Sequence, residues 1–250
     1  MLGASSAFWR LNEWLHQEED VLLEKASCDV GLVLFEGHTG PELVVYGEPG
    51  PAIAALEDVV ARGIVPERTM INREVYGALD ERLRNYFGPN WGHAWDFFWA
   101  KDPVAPVPYC ELVEYVRAGS PEFHTYRADI RQALLASNPI SDAVDQLDEL
   151  DWFFLRAPDG QIATVMGAER VGDVIGFYGL GTVPDYRGHG YGGATMVGAV
   201  NASLDLAAAI RFGVWAWNEG AMRLYTRLGV RHDGALISGR NEPFEELGGA

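Results

Sequence analysis

Apolar residues change their period several times along this chain. In residues 8–24, Phe8, Leu11, Leu15, Leu22 and Leu23 recur around an acidic run at Glu18–Asp20, which predicts an amphipathic helix. Val30–Phe35 and Leu43–Tyr46 read as short strands bounded by Gly, Pro and Asp. Pro51–Arg62 (Ile53, Leu56, Val59 and Val60 at helical spacing) and Arg73–Phe87 (Val75, Leu79 and Leu83 on one face) read as helices, and Trp95–Trp99 as a strand. Pro103, Pro106 and Pro108 then exclude regular structure and mark a boundary. Beyond it the pattern predicts a strand over Cys110–Val116, helices over Pro121–Ser137 and Asp142–Leu150, and strands over Trp152–Arg156, Ile162–Ala168 and Val174–Val183. Pro158-Asp159-Gly160 joins the first two of those three strands as a turn. A helix over Gly192–Ala209, a strand over Phe212–Trp217, a helix over Glu219–Leu228 and a last strand over Gly229–Ser238 follow. The fold class is α/β: a mixed central sheet with flanking helices over 107–250, preceded by a smaller α/β N-terminal domain over 1–106.

Composition narrows the function. With 250 residues, 48% hydrophobic and 22% charged, the chain is long enough to bury a core without covalent staples. Its two cysteines, Cys28 and Cys110, are too far apart for a metal-ligand spacing and fit a reducing compartment. Met1–Ala7 has no basic start, and Trp9, Arg10, Asn12, Glu13 and His16 are too polar for the core of a signal peptide. No apolar run is long enough to cross a bilayer, so a cytoplasmic protein is expected. A formal net charge of −17 repels nucleic acid and anionic membrane. Any phosphate site must therefore be built locally, from backbone N–H groups and a few placed cations. The acidic field favours a cationic acceptor such as an amine, or serves solubility alone.

One segment looks like such a site. Val183-Pro184-Asp185-Tyr186-Arg187-Gly188-His189-Gly190-Tyr191-Gly192-Gly193 joins a predicted strand to a predicted helix. Its glycines free the backbone to turn tightly and approach a ligand. The unpaired N–H groups and positive dipole end of the helix favour an anion, and Arg187 adds a planar cation. Gly188-x-Gly190-x-x-Gly193 also fits a dinucleotide fingerprint, but that motif belongs on the first strand of its sheet, and this turn comes late in the chain. A purely structural turn is the third reading.

Arg187-x-x-Gly190-x-Gly192 resembles the Arg/Gln-x-x-Gly-x-Gly/Ala signature of the GNAT acyltransferases. Thr182-Val183-Pro184-Asp185-Tyr186-Arg187 looks like the usual lead-in to it. Asn218-x-x-Ala221-x-x-Leu224-Tyr225-x-x-Leu228-Gly229-Val230 resembles the second signature of the same superfamily. The resemblance spans about residues 110–240, and Gly179–Gly193 looks most like the glycine N-acyltransferase-like branch, whose N-terminal half is shaped like a degenerate GNAT domain. Such a family implies acyl-CoA as cosubstrate, no metal, and a small amine as acceptor, with monomer and homodimer both open. It implies a V-shaped split between strands 174–183 and 212–217. Backbone groups around Leu180, Thr182 and Val183 would meet the pantetheine arm. Arg187, Gly188, His189, Gly190, Tyr191, Gly192 and Gly193 would hold the pyrophosphate, Asn218 would seat the cofactor arm, and Tyr225 would lie near the sulfur.

The implied reaction is direct attack of an amine on a thioester. A phenol has an ordinary pKa of about 10 and is protonated at neutral pH, so Tyr225 suits protonation of the leaving thiolate; a core tyrosine sharing a helix face with Leu224 and Leu228 is the plain alternative. A backbone N–H near Leu180–Thr182 suits the oxyanion. The base is less legible, because Val174–Val183 carries no carboxylate. Asp173 is the candidate, and a turn residue after Gly172 is its plain reading. Glu169, His189, Glu219, His124 and His232 are further titratable groups, each explained as well by solvent, a helix start or a surface. The absent strand carboxylate leaves a second function open: an acyl-CoA-binding protein, or a decarboxylase of acyl thioesters, on the same fold.

Overall fold

The computed structural model describes residues 6–12, 20–37 and 40–243, and the chain divides into two compact units. The first takes the described residues up to Phe97, together with Val214–Asn218 and His232 to 243. The second takes Phe98–Gly213 and Glu219–Arg231.

In the first unit a short helix α1 (Ala7–Leu11) precedes strands β1 (Val21–Ala26), β2 (Val30–Glu36) and β3 (Pro41–Gly47). Helix α2 (Pro49–Ala61), strand β4 (Arg68–Asn72), helices α3 (Arg73–Ala78) and α4 (Glu81–Tyr86), and strand β5 (Asn90–Ala100) follow, the last running on into the second unit. Ser6 caps α1 by accepting from the Trp9 N–H at 3.0 Å. The expected helix over 8–24 is therefore confined at its start to α1, and 13–19 lie outside the described residues. Leu22 and Leu23 belong to β1, where exposure alternates residue by residue as a period of two requires. β1–β2 and β2–β3 are antiparallel, β3–β4 is parallel through α2, and β11 (Arg231–Arg240), which starts at the edge of the second unit, lies antiparallel to β4. Leu32, Leu34, Leu43, Val45, Leu56 and Ile71 form the core with Val75, Leu83 and Phe87. The helix expected over 73–87 is broken: Leu79 is extended, and Asp80 starts α4 by accepting from the Leu83 N–H at 2.8 Å.

The second unit contains the short strand β6 (Glu114–Val116), helix α5 (Pro121–Ser137), and strands β7 (Asp151–Arg156), β8 (Ile162–Val171) and β9 (Val174–Thr182). Helix α6 (Tyr191–Leu204), strand β10 (Ala209–Trp215) and helix α7 (Glu219–Arg227) complete it, β10 running on into the first unit. The strand order is β10-β9-β8-β7-β6, antiparallel except for β9 and β10, which are joined by the α6 crossover. Ser120 caps α5 by accepting from the Phe123 N–H at 3.1 Å. Phe123, Ile130 and Leu134 of α5 pack on Trp152, Phe154 and Val165. On the opposite face Tyr191 and Ala194 of α6 pack on Leu155 and Ala163. The strand expected over 110–116 is a 3-10 turn at Cys110–Leu112 and then β6, because Tyr109 enters with a φ of 73°. The helix expected over 142–150 is a 3-10 turn at Asp142–Val144 followed by turns.

Candidate active site

The site is built where β9 leaves its neighbours. On one side, β9 pairs in parallel with β10 only at Val174, Ile175 and Gly176 opposite Ala209, Ile210 and Arg211. Past that row the two strands no longer hydrogen-bond, so a split opens toward the C-terminal end of β9. On the other side, the register with β8 shifts: Val165 faces Gly181 but Gly167 faces Tyr178. One extra residue stands on β9, which makes a β-bulge at Gly179 and Leu180. Gly179 has a φ of 62°, and a Cβ there would come within 2.7 Å of Ser141 Oγ. Only glycine meets both demands. A bulge takes backbone groups out of the ladder, and here it does so beside the split. The sequence signal for it was the run Gly179-Leu180-Gly181 inside a strand pattern.

β9 then runs into the turn at 183–190. Val183 hydrogen-bonds back to Ala163, and Pro184–Tyr186 makes one 3-10 turn. Tyr186 donates to Asp159 Oδ2 at 2.6 Å, tying the turn to the β7–β8 loop. Gly188 and Gly190 have φ of 83° and 85°, and a Cβ on either would meet nothing within 4 Å. Their glycine requirement is therefore conformational. Gly190 is the N-cap of α6 and offers no side chain, so the mouth of the helix is open. None of the N–H groups of residues 188–193 donates to a described backbone carbonyl. His189 Nδ1 lies 3.0 Å from Arg187 O, and a carbonyl can only accept, so Nδ1 carries the proton and Nε2 faces away. Arg187 is exposed and anchored by Nε to Thr182 O at 3.1 Å. A Cβ on Gly192 would come within 2.9 Å of Thr182 Oγ1, so this glycine lets α6 start hard against the end of β9. The result is a run of N–H groups without a described backbone acceptor at the positive end of a 14-residue helix, exposed at 188–190 and partly covered beyond, with the exposed Arg187 in the same turn. These residues fit a pyrophosphate.

Tyr225 lies on α7 with 6% of its surface exposed. Its ring meets Phe212 edge-on at 4.8 Å and Phe98 at 5.7 Å. No described residue hydrogen-bonds its hydroxyl, which is also not among the fully enclosed polar atoms that lack a partner. Burial pushes the phenol pKa up, so the group holds its proton throughout the neutral range.

The other expected residues scatter. Asp173 sits in the β8–β9 turn, with its side chain 69% exposed and 3.8 Å from Arg170. Nine strand residues separate it from Val183, roughly 30 Å at about 3.3 Å each, and it lies at the closed end of the split. Asn218 falls in the first unit, in the turn before α7, with its N–H on Trp215 O at 2.8 Å. Glu219 pairs with Arg223 on the exposed side of α7. In the first unit His232 Nε2 contacts the buried Asp96 at 2.8 Å, and Arg73 holds the same carboxylate at 2.7 Å. Among the described residues no group of three or more His, Cys, Asp and Glu stands together as a metal-ligand set, and no helix is long and apolar enough to cross a membrane.

Residues 122–230 match the family model described as the acetyltransferase (GNAT) family, which takes in α5 through α7. Over these residues, which fall short of half the chain, the sequence is similar to the GNAT acetyltransferase family. Among solved structures it is similar to a GCN5-related N-acetyltransferase from Sphaerobacter thermophilus, with a TM-score of 0.53, 15% identity, and 96% of this chain and 87% of that one covered. It is similar also to an acetyltransferase of the GNAT family from Colwellia psychrerythraea, with a TM-score of 0.56, 9% identity, and coverage of 84% and 81%. A functionally unknown conserved protein from Staphylococcus epidermidis gives 0.52, 11%, and coverage of 92% and 98%. Identities this low speak for the fold alone. No curated protein matches the sequence.

Proposed function

We propose that the protein transfers an acyl group, acetyl in the simplest case, from acyl-CoA to the primary amine of a small molecule by direct attack. The observation that carries this reading is the open N-terminus of α6, with N–H groups at 188–193 that lack a described backbone acceptor, at the end of a strand that splits from its parallel neighbour. In this reading Arg187, Gly188, His189, Gly190, Tyr191, Gly192 and Gly193 hold the pyrophosphate. Freed backbone of the bulge at Leu180, with Thr182 and Val183, lines the pantetheine arm and stabilises the oxyanion. Asn218 seats the cofactor arm, and Tyr225 protonates the leaving thiolate. The position of Asp173 supports a turn role for it, and we assign it no proton transfer. The lead-in Thr182–Arg187 supports the glycine N-acyltransferase-like branch.

We also read residues 1–106 as a degenerate second half of the same kind. The first unit repeats the order hairpin, helical crossover, parallel strand: β2–β3–α2–β4 follows the pattern of β8–β9–α6–β10. At the equivalent turn, Glu48 is the N-cap of α2, and Pro49 and Pro51 have no N–H to offer. A carboxylate in place of those donors supports loss of the phosphate site there.

The test is thermal shift with CoA and with NAD, followed by thiol release from acetyl-CoA with and without a panel of amines. Stabilisation by CoA but not NAD, and thiol release that needs an amine, are expected. Binding of CoA without thiol release would favour the second reading, an acyl-CoA-binding protein or a decarboxylase (which leaves the thioester intact), which the lack of a carboxylate on β9 keeps in view; amine-independent thiol release would mean hydrolysis and contradict transfer.

A further inference from the structure

We propose that Glu169, acting through the hydroxyl of Tyr178, takes up the proton that the acceptor amine loses, with Arg211 holding the pair in place. The inference rests on the acyl-transfer reading above.

Glu169, Gly176 and Arg211 stand in one row across β8, β9 and β10. It is the last row at which β9 and β10 pair, so it forms the crotch of the split. The middle position carries no side chain, and Tyr178 folds back into that space from the same face of β9. Its hydroxyl lies 3.1 Å from where a Gly176 Cβ would stand, and Arg211 Nη2 lies 3.4 Å from the same point. The Tyr178 hydroxyl donates to Glu169 Oε2 at 3.1 Å and accepts from the Arg211 guanidinium. These are the charged groups that face it. Arg211 is 9% exposed, whereas Glu169 is open to solvent. The Tyr178 hydroxyl folds back over Gly176, four strand residues before Leu180, so it stands roughly 13 Å along β9 from the backbone freed for the oxyanion, at about 3.3 Å per residue.

This arrangement supplies what the sequence of β9 lacks. A carboxylate reaches the split from the neighbouring strand through a tyrosine. The carboxylate of Glu169 is the proton acceptor of the cluster, and its exposure lets it exchange that proton with solvent. As the amine nitrogen bonds to the thioester carbon, its N–H proton passes through bridging water to Tyr178 Oη while the Tyr178 proton passes to Glu169 Oε2. The C–S bond breaks and the thiolate takes a proton from Tyr225. Glu169, being exposed, returns its proton to solvent, and Tyr225 regains one. The amide and the free thiol are the net products. Burial, as the largest effect, and Glu169 hold the Tyr178 phenol above its usual pKa, partly opposed by Arg211, so Tyr178 transfers a proton in step with Glu169 rather than ionising alone.

The test uses the full chain, acetyl-CoA, and whichever of glycine, phenethylamine, spermidine and kanamycin gives the fastest thiol release. Gln at position 169 keeps an oxygen that accepts the Tyr178 hydrogen bond, so a merely structural role predicts near wild-type turnover in Glu169→Gln. The relay predicts a kcat loss of about 10²-fold, a KM for acetyl-CoA within about twofold, and partial recovery in Glu169→Asp, which restores a carboxylate. Tyr178→Phe provides the same split between kcat and KM should Glu169→Gln not fold. A kcat within about threefold of wild type in either variant, or equal losses in Glu169→Gln and Glu169→Asp, overturns the relay. Wild-type protein that transfers acetyl to none of the four amines overturns the acyl-transfer reading and the relay with it. That result is seen without any variant, so the two failures are told apart.

Discussion

Tyr225→Phe separates folding from chemistry at a single atom. The ring of Tyr225 is nearly enclosed, at 6% exposure, and is held edge-on between Phe212 and Phe98. Phenylalanine keeps all of that contact. The atom removed, the hydroxyl oxygen, has no described hydrogen-bond partner, so its loss leaves no orphaned group behind. Deleting a poorly solvated hydroxyl is neutral or stabilising by up to about 1 kcal/mol. At about 2–4 °C per kcal/mol for a chain of this size, Tm stays level or rises by a few degrees. Catalysis moves the other way. Loss of a general acid costs about 10²-fold in kcat, or about 2.7 kcal/mol at about 1.36 kcal/mol per factor of ten. Tyr225→Ala is the control: it removes the ring and costs about 3–5 kcal/mol of stability. The assays are thiol release from acetyl-CoA with a fixed amine, calorimetric CoA binding, and a thermal melt. A Phe variant with an unchanged melt and wild-type kcat would remove Tyr225 from the chemistry and leave it a core residue. A Phe variant that melts well below wild type would refute the claim that the hydroxyl is unpartnered.

The remaining predictions follow from the same geometry. Gly179→Ala forces a left-handed φ on a residue with a Cβ, at about 1–2 kcal/mol, and presses that Cβ on Ser141 Oγ; a lowered melt with lost turnover is expected, and a wild-type melt would contradict the bulge. Calorimetry should give one CoA per chain, because Glu48, Pro49 and Pro51 close the equivalent turn of the first unit; a second site there would contradict this. The Tyr225 pKa is raised in the folded protein, so its stabilising effect is fully present below the unfolded value of about 10 and is lost only as pH rises through the higher folded value. The kcat profile should therefore show no fall below pH 10 that Tyr225→Phe abolishes.

Most of the second unit was legible from pattern. Pro121–Ser137 was read with its boundaries intact, because a serine cap and a proline in the first turn mark the start of α5. β7, β8, β9 and α7 were read to within three residues at either end, since long apolar runs between turn signals leave few alternatives. The first unit was less legible. β4, Arg-Thr-Met-Ile-Asn, is too short and polar to declare itself, and its partners β3 and β11 supply the order. Leu22 and Leu23 suit a helix by spacing but alternate on β1 against β2. At the site, the glycines of the turn were legible because backbone conformation is written in residue type. The Glu169–Tyr178–Arg211 cluster was not, because it exists only once the register sets three strands side by side. Glu169 alone reads as a solvated carboxylate, and neither Tyr178 nor Arg211 stood out in the chain.

We propose that this chain moves an acyl group from a CoA thioester to an amine. Continuous thiol detection with acetyl-CoA, each amine of the panel in turn, and an amine-free control tests it most directly. Thiol release should saturate in both substrates and fall to background without an amine, with the acetylated amine recovered in equal amount. Thiol release that ignores the amine, or no release from any acyl-CoA, would contradict it.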